Sequence, residues 1–314
     1  LLSAGGGQDV TPEVPGLGMF DHAIVHVPAE STGGEALWID ATTEYARVGT
    51  LPAADTNRLA LVIRDGETSL TRTPRMRSAD NTQVETRTFH LSEHGPARVV
   101  ETTETRGTVE LEYRSWYAGA DTRERLESLA EYARTAYRAK ALSNYPHTAS
   151  TDFSKFYSMT LDIKDAPIGS TDLTSAAVGV NLGGILTRLP TWFSQQLDEG
   201  QADVSRQADV VFEPYVIEWR YHVNPPEGFR ARPLPANAEW PLGPARLTSE
   251  FSRDDRGVVH ATWRFDTVKD RYTPAEAQAF IKAAHELRQR QVMLIAFDHE
   301  GGGPPRPGGF KGQG

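Results

Sequence analysis

The chain has 314 residues, of which 39% are hydrophobic and 24% are charged, and this composition excludes a disordered chain, a collagen-like repeat and a membrane bundle. The net charge of −9, with both signs scattered through the sequence, disfavours a nucleic-acid partner. The length is about twice that of a usual single domain and predicts two domains, and the absence of cysteine excludes disulfides and thiolate zinc sites.

The start of the chain, Leu1-Leu2-Ser3, has no initiating methionine and no apolar signal core. This indicates the remainder of a longer precursor. The longest weakly polar stretch, 176–186, is about eleven residues long, whereas spanning a bilayer takes roughly 20 residues. The sequence therefore predicts no transmembrane segment.

Three short strands are predicted in the first part of the chain. Residues 20–27 are rich in β-branched side chains, 36–40 form a second run after a Ser/Thr/Gly loop, and 58–63 form a third. Together they predict a small antiparallel sheet. Asp65-Gly66 is a turn signal, and the polar stretch 67–81 indicates a crossing to another unit. We therefore place a domain boundary near residue 66.

A β-rich pattern with two amphipathic helices follows, so the predicted fold class is α+β. One helix begins at Asp121 or Thr122 and runs to about Lys140. The other begins after Thr273 and has the residues of a capping box, with Glu276 three positions later. Alternating polar and apolar positions predict strands over 82–91, 97–105, 108–117, 155–163, 210–223, 246–251, 257–267 and 292–297.

Two parts of this region, 82–140 and 246–297, share an order of hairpin, Thr/Arg-rich strand and capped helix. A degenerate internal repeat and coincidence both fit this order, because no residue identity accompanies it. The final part, 298–314, is rich in glycine and proline and is predicted to be a tail or linker that buries no core. The predicted domains are therefore 1–66 and 67–297, followed by that tail.

His22 and Asp40 are predicted to be neighbours across the first two strands. For a hairpin loop centred between residues 28 and 35, directly opposed residues have index sums of about 63. His22 and Asp40 lie within about one residue of that register, with Cβ atoms roughly 5 Å apart. A carboxylate beside one imidazole nitrogen fixes the tautomer that a histidine general base needs. Both residues are therefore candidate catalytic residues.

The residues around these positions resemble the His and Asp segments of bacterial transglutaminase-like proteins, which are papain-type cysteine acyltransferases and peptidases. The matching strings are MFDHAIVHV at 19–27, WIDAT at 38–42, GTLP at 49–52 and ALVI at 60–63. The specific part of the resemblance covers residues 14–63, about a sixth of the chain. It implies that 1–66 is the C-terminal half of a papain-like transglutaminase core with an antiparallel sheet, and that 67–297 is a trailing β-rich domain.

The resemblance also implies a mechanism and a location. His22 would be the general base and Asp40 the carboxylate that orients it, acting on a protein or peptide substrate. The nucleophilic cysteine would lie on a helix upstream of Leu1, since this chain has none. Amide or peptide hydrolysis and Gln–Lys crosslinking both remain open. Members of this multi-domain branch are commonly exported, so a periplasmic, secreted or cell-surface protein is expected.

A competing interpretation is a non-catalytic structural or protein-binding module, in which the core is a relic and residues 67–297 carry the function. A cysteine at the start of an upstream helix that packs against His22 would favour the catalytic interpretation over this one. His26 shares a strand face with His22, but the sequence shows no third ligand at useful spacing. We therefore predict no metal site and no cofactor.

Overall fold

The structure, a computed structural model, describes residues 1–4, 9–13, 16–199, 205–289 and 292–301. Of the predicted tail 298–314, residues 302–314 lie outside the described residues. A large mixed sheet and several helices make up the described part, which confirms the predicted strand-rich α+β class. No described helix is both long enough and apolar enough to cross a membrane.

The helices are α1 (Ala29–Thr32), α2 (Thr108–Gly119), α3 (Thr122–Tyr137), α4 (Thr191–Glu199) and α5 (Pro274–Arg288), with short 3-10 helices at Leu17–Met19, Ala53–Asp55, Ser78–Asp80 and Leu182–Leu186. The strands are β1 (Val25–Val27), β2 (Leu37–Ile39), β3 (Leu59–Arg64), β4 (Glu67–Arg72), β5 (Thr82–His90), β6 (Gly95–Thr105), β7 (Ala141–Asn144), β8 (Tyr157–Thr171), β9 (Ser175–Val180), β10 (Val210–Val211), β11 (Val216–Asn224), β12 (Phe229–Ala231), β13 (Ala238–Leu242), β14 (Ala245–Arg253), β15 (Val259–Asp266), β16 (Arg271–Tyr272) and β17 (Met293–His299).

The large sheet has eleven strands in the order β12-β17-β9-β8-β6-β5-β11-β15-β14-β13, and β7 adds to β8. The central neighbours β5 and β11 are parallel, with Thr82 opposite Val216 and His90 opposite Asn224, and the other pairs are antiparallel. Buried residues alternate with more exposed ones along β5 and β15, as expected for strands with one face on a core. The parallel pair joins segments more than a hundred residues apart in sequence.

The first part of the chain contains two separate two-stranded sheets, so the predicted single sheet is wrong. β1 pairs with β2, and β3 pairs with β4 instead of with either of them. β4 lies in the stretch 67–81, which we predicted to cross to another unit. The turn at Asp65-Gly66 instead folds this strand back on β3. The hairpin thus spans residue 66, near which the sequence predicts a domain boundary, and that boundary stays a prediction.

The predicted strand 108–117 is also wrong, because these residues form the helix α2. Gly107 turns the chain with φ of 68°, and a Cβ there would lie 2.5 Å from the carbonyl oxygen of Asp80. The Asn81 side-chain oxygen accepts hydrogen bonds from the first turn of the helix. Tertiary contacts thus override the β propensity of a segment in which three of ten residues are aromatic. The residues that α2 buries are Thr108, Val109, Glu110, Arg114 and Tyr117.

The two predicted helices are present and begin where their caps place them. The Asp121 carboxylate accepts the Glu124 N–H at the start of α3, and Thr273 with Glu276 forms the full capping box of α5. α5 packs closely on the β13–β14 turn, where a Cβ at Gly243 would lie 2.7 Å from the Phe280 nitrogen. Both helices bury one face in the main core.

Other predicted bounds shift by a few residues. The predicted strand 210–223 is interrupted around Pro214, which cannot donate a ladder hydrogen bond, and is divided into β10 and β11. The strand β9 lies in a stretch for which the sequence predicted no strand. The parts 82–140 and 246–297 differ in content, because α2 precedes α3 whereas only β16 precedes α5. The internal repeat stays a prediction.

Two separate hydrophobic cores divide the described residues. The larger one contains side chains of the eleven-stranded sheet together with α3, α4 and α5. The smaller one lies between the two-stranded sheets at the start of the chain, and we call the described residues of 1–72 the small unit. The division into domains stays a prediction. Its buried members are Leu2, Trp38, Leu51, Ala60 and Val62.

Candidate functional site

His22 lies just before β1, and its backbone pairs with the first residues of the chain. The Leu2 N–H donates to the His22 carbonyl oxygen at 2.9 Å, and the His22 N–H donates to the Leu2 carbonyl oxygen at 3.1 Å. Leu2 is fully buried in the small core. This pairing fixes the backbone from which the imidazole projects, while the His22 side chain keeps 22% of its surface exposed.

Asp40 directly follows β2 and is held by two neighbouring threonines. Its Oδ1 accepts hydrogen bonds from the Thr42 N–H and hydroxyl at 2.9 and 2.7 Å, and its Oδ2 accepts one from the Thr43 hydroxyl at 2.7 Å. Burial alone would raise the pKa of Asp40, but these hydrogen bonds and the nearby His22 outweigh it and bring the pKa below 3.8. Asp40 is therefore a carboxylate with a fixed orientation.

The structure brings His22 and Asp40 together. The His22 Nε2 lies 3.4 Å from the Asp40 Oδ1, an ion-pair distance that is longer than a typical N–H···O hydrogen bond. The register differs by one residue from the predicted one, since Val25 lies opposite Ile39, so Asp40 reaches His22 diagonally. Diagonal neighbours on one face are still within reach of long side chains. The catalytic roles of the two residues stay a prediction.

A second carboxylate, Asp55, faces the same imidazole nitrogen. Its Oδ2 lies 3.6 Å from the His22 Nε2, and its side chain is 2% exposed. Asp55 ends the 3-10 helix Ala53–Asp55, and its carbonyl oxygen accepts the hydroxyl of buried Thr73 at 2.6 Å. Asp55 is not among the site residues predicted from the sequence. The available signal was an isolated acid directly after the matching string GTLP and two alanines.

Asp55 titrates in an unusual range. Burial raises its pKa from 3.8 to about 6; the proximity of His22 opposes this shift and the proximity of Asp40 adds to it. The two carboxylates near the His22 Nε2 therefore differ: the pKa of Asp40 is lowered by its hydrogen bonds, while that of Asp55 is raised by burial.

Replacing Asp55 with asparagine is expected to stabilise the chain at pH 7 but not at pH 4. An acid whose pKa is raised by folding binds its proton more tightly in the folded state, so stability falls as the pH rises from about 4 to 6 and stays lower above that range. Asp55→Asn removes this loss, which amounts to roughly 1–3 kcal/mol. Denaturant unfolding of both proteins in the presence of a chelator, at pH 4, 5, 6 and 7, measures it.

Asp65→Asn, in the exposed β3–β4 turn, serves as the control and should change stability little at any of these pH values. A difference between wild type and Asp55→Asn that stays constant from pH 4 to pH 7 would show that Asp55 does not titrate in this window.

His26 is occupied by structural contacts. Its ring packs against Trp38 with the centroids 4.4 Å apart and the ring planes tilted by 47°, and its Nδ1 lies 3.2 Å from an Arg64 nitrogen. Burial lowers the pKa of His26, and the Arg64 charge acts in the same direction. His26 therefore packs in the small unit and does not join the group around His22, which in the described residues consists of His22, Asp40 and Asp55.

A buried polar network on the large sheet was not predicted from the sequence either. Arg87 lies between Glu85 and Glu101, and the hydroxyl groups of Tyr132 and Tyr137 donate to Glu101. A cavity of about 530 Å³ opens beside it and is lined in part by Glu85, Glu101 and Tyr132 but not by His22, Asp40 or Asp55. Its charged groups are paired with one another, which favours a structural role. The signal was a run of charged residues at buried positions of β5 and β6.

Fold and site together define a strand-rich α+β protein with a His–Asp–Asp group beside a small two-stranded sheet. No protein-family profile matches the chain. No curated protein matches it either. A solved structure described as a "putative protease" from Parabacteroides distasonis is similar over 41% of this chain and 24% of that chain, with 16% identity and a TM-score of 0.30. The chain thus spans about a quarter of that protein, and a likeness of this extent supports no statement about activity.

Proposed function

We propose that the chain carries the His and Asp residues of a transglutaminase-like cysteine acyltransferase or peptidase, whose nucleophilic cysteine comes from a segment outside these 314 residues. The observation that supports it most directly is the 3.4 Å distance between the His22 Nε2 and an Asp40 carboxylate that three hydrogen bonds hold in place. This is the pairing that a histidine general base needs, because the carboxylate orients the ring and stabilises its protonated form.

The proposed reaction uses the other ring nitrogen, Nδ1, which has no hydrogen-bond partner among the residues that the structure describes. A cysteine thiol would give its proton to this nitrogen and attack the carbonyl carbon of a Gln side chain or a peptide bond. His22 would then protonate the departing ammonia or amine as the C–N bond breaks. Water or a second amine would resolve the thioester, with His22 accepting the proton of the attacking group.

We propose further that the substrate is a protein or peptide and that the natural protein containing this chain is exported, as the resemblance implies. Hydrolysis and crosslinking differ only in the group that attacks the thioester, so both fit the site. A non-catalytic structural or protein-binding role is the competing proposal, and the absence of cysteine from the chain favours it. A cysteine upstream of Leu1 in a longer natural protein would favour the catalytic proposal, and a longer protein without one would favour the non-catalytic role.

The purified 1–314 chain is expected to show no thiol-dependent amidase, peptidase or crosslinking activity, because it contains no thiol. Release of ammonia from a Gln peptide, cleavage of a casein substrate and incorporation of a fluorescent amine measure the three reactions. Hydrolysis by this chain that disappears in His22→Ala would reveal a different nucleophile and contradict the proposal.

In a longer version that includes the upstream cysteine, His22→Ala is expected to lower kcat by about a thousandfold or more. His26→Ala is the matched control, since it removes a histidine from the same small unit and should leave kcat within a few fold of the parent. Equal activity of the parent and His22→Ala would reject the assignment of His22 as the base.

A further inference from the structure

We propose that His22, Asp40 and Asp55 form a binding site for a divalent transition-metal cation, with Zn²⁺ as the best-matched ion. This inference goes beyond the proposed acyl transfer, and it departs from the sequence-based expectation of no metal site. The three side chains offer one imidazole nitrogen and two carboxylate oxygens that all lie within 4.8 Å of one another. Within the described residues, no other group of three or more such ligands meets this condition.

The two distances from the His22 nitrogen match those between ligands of a tetrahedral zinc site. Zinc binds nitrogen and oxygen ligands at about 2.0–2.2 Å, so two ligands of one tetrahedral ion lie about 3.3–3.5 Å apart. The His22 Nε2 lies 3.4 Å from the Asp40 Oδ1 and 3.6 Å from the Asp55 Oδ2. The imidazole nitrogen is therefore spaced from each carboxylate oxygen as two ligands of one ion are, and the two carboxylate oxygens lie within 4.8 Å of each other. A direct N–H···O hydrogen bond would instead hold such atoms at about 2.9 Å.

Asp55 supplies an independent observation. Its Oδ2 is buried and has no hydrogen-bond partner within the described part of the chain, although its side chain is only 2% exposed. A buried acceptor without a donor is costly, and this one is aimed at the His22 ring beside a second carboxylate. A bound cation would satisfy the unpaired oxygen and neutralise the repulsion between the two carboxylates.

The ligand set and its surroundings favour zinc over calcium or magnesium. Those two ions prefer six or more oxygen ligands, whereas an imidazole with two carboxylates suits Zn²⁺. Thr42 and Thr43 hydrogen-bond the Asp40 carboxylate, as supporting groups do around metal ligands. The exposed fifth of the His22 side chain leaves one side open for a fourth ligand, water in this chain. Zinc bound to Nε2 would leave the only ring proton of His22 on Nδ1, so Nδ1 could not accept a proton and His22 could not act as the base.

Titration of the metal-free 1–314 chain with Zn²⁺ against a chromophoric zinc indicator tests the site. We expect one equivalent to bind in the micromolar range or tighter. His22→Ala and Asp55→Asn should each weaken binding at least tenfold, and Asp55→Asn keeps the shape of the side chain if the alanine variant fails to fold. His26→Ala and His260→Ala are controls that should bind like the parent. His260 lies beside His222 across β11 and β15, and these two histidines are the competing candidate for zinc binding.

Two results would overturn the inference: no stoichiometric binding up to about 100 µM Zn²⁺, or binding that Asp55→Asn leaves unchanged while His260→Ala abolishes it. Because the titration uses a chain without cysteine, its outcome does not depend on acyl transfer. An active longer protein that does not bind zinc would reject the metal site alone. A longer protein that is inactive when assayed metal-free, in a chelator, while its 1–314 region binds zinc would reject the proposed function alone.

Discussion

Glu110→Ala is expected to destabilise the protein by about 3–5 kcal/mol, because it leaves two buried or partly buried guanidinium groups without their carboxylate. The Glu110 side chain is 2% exposed, and Arg114 beside it is fully buried. One Glu110 oxygen lies 2.8 Å from an Arg114 nitrogen and also accepts the Tyr157 N–H at 3.1 Å. The other oxygen lies 2.8 Å from the Arg47 Nε. All three donors lose this partner in the variant.

The same group ties the first unit to the large sheet. Arg47 comes from the small unit and also donates to the carbonyl oxygens of Phe153 and Lys155, while Arg114 donates to the carbonyl oxygens of Ser150 and Lys155. Loss of Glu110 should therefore loosen the small unit as well as α2, and we expect faster hydrogen exchange of the amides in 37–64.

Glu112→Ala is the matched control on the same helix. Its side chain is 53% exposed and pairs with Arg188 at 2.7 Å, and an exposed pair of this kind contributes about 0–1 kcal/mol. Denaturant unfolding of both variants and the parent gives the comparison. Equal stability of Glu110→Ala and Glu112→Ala would mean that the buried charges find other partners.

Phe280→Ala is expected to cost roughly 3–5 kcal/mol of unfolding free energy, because it removes a fully buried ring and leaves a cavity. Phe280 lies on the buried face of α5, where its ring centroid lies 5.1 Å from that of Phe193, 5.8 Å from that of Tyr272 and 6.3 Å from that of Phe265. These rings come from α4, β16 and β15, so the substitution weakens the attachment of the helix to the sheet.

Lys282 lies two residues after Phe280 in the sequence, on the exposed face of α5. Lys282→Ala is therefore the control and should change stability by about 0.5 kcal/mol or less. Thermal and denaturant melts of the three proteins provide the measurement. A Phe280→Ala protein as stable as the parent would show that α5 is not docked on the sheet as described.

The features that the sequence predicted correctly are those set by nearby residues. Asp121 caps α3 and Thr273 with Glu276 caps α5, and in each case the groups that bond lie three residues apart. The strands β5 and β6 follow from alternation along a single strand. The proximity of His22 and Asp40 belongs here too, because one short loop connects their strands and limits the register to within a residue.

Tertiary structure decided the features that depend on groups far apart in the chain. The segment 108–117 has the composition of a strand, and it is a helix because Asn81 caps it and Glu110 meets Arg47 across sixty-three residues. The parallel pairing of β5 with β11 likewise leaves no local pattern. Asp55 joins His22 only because a 3-10 turn, whose carbonyl oxygen accepts a hydrogen bond from Thr73, buries its carboxylate beside the ring. Burial and long-range charge pairing are properties of the packed chain, so local propensity and spacing do not contain them.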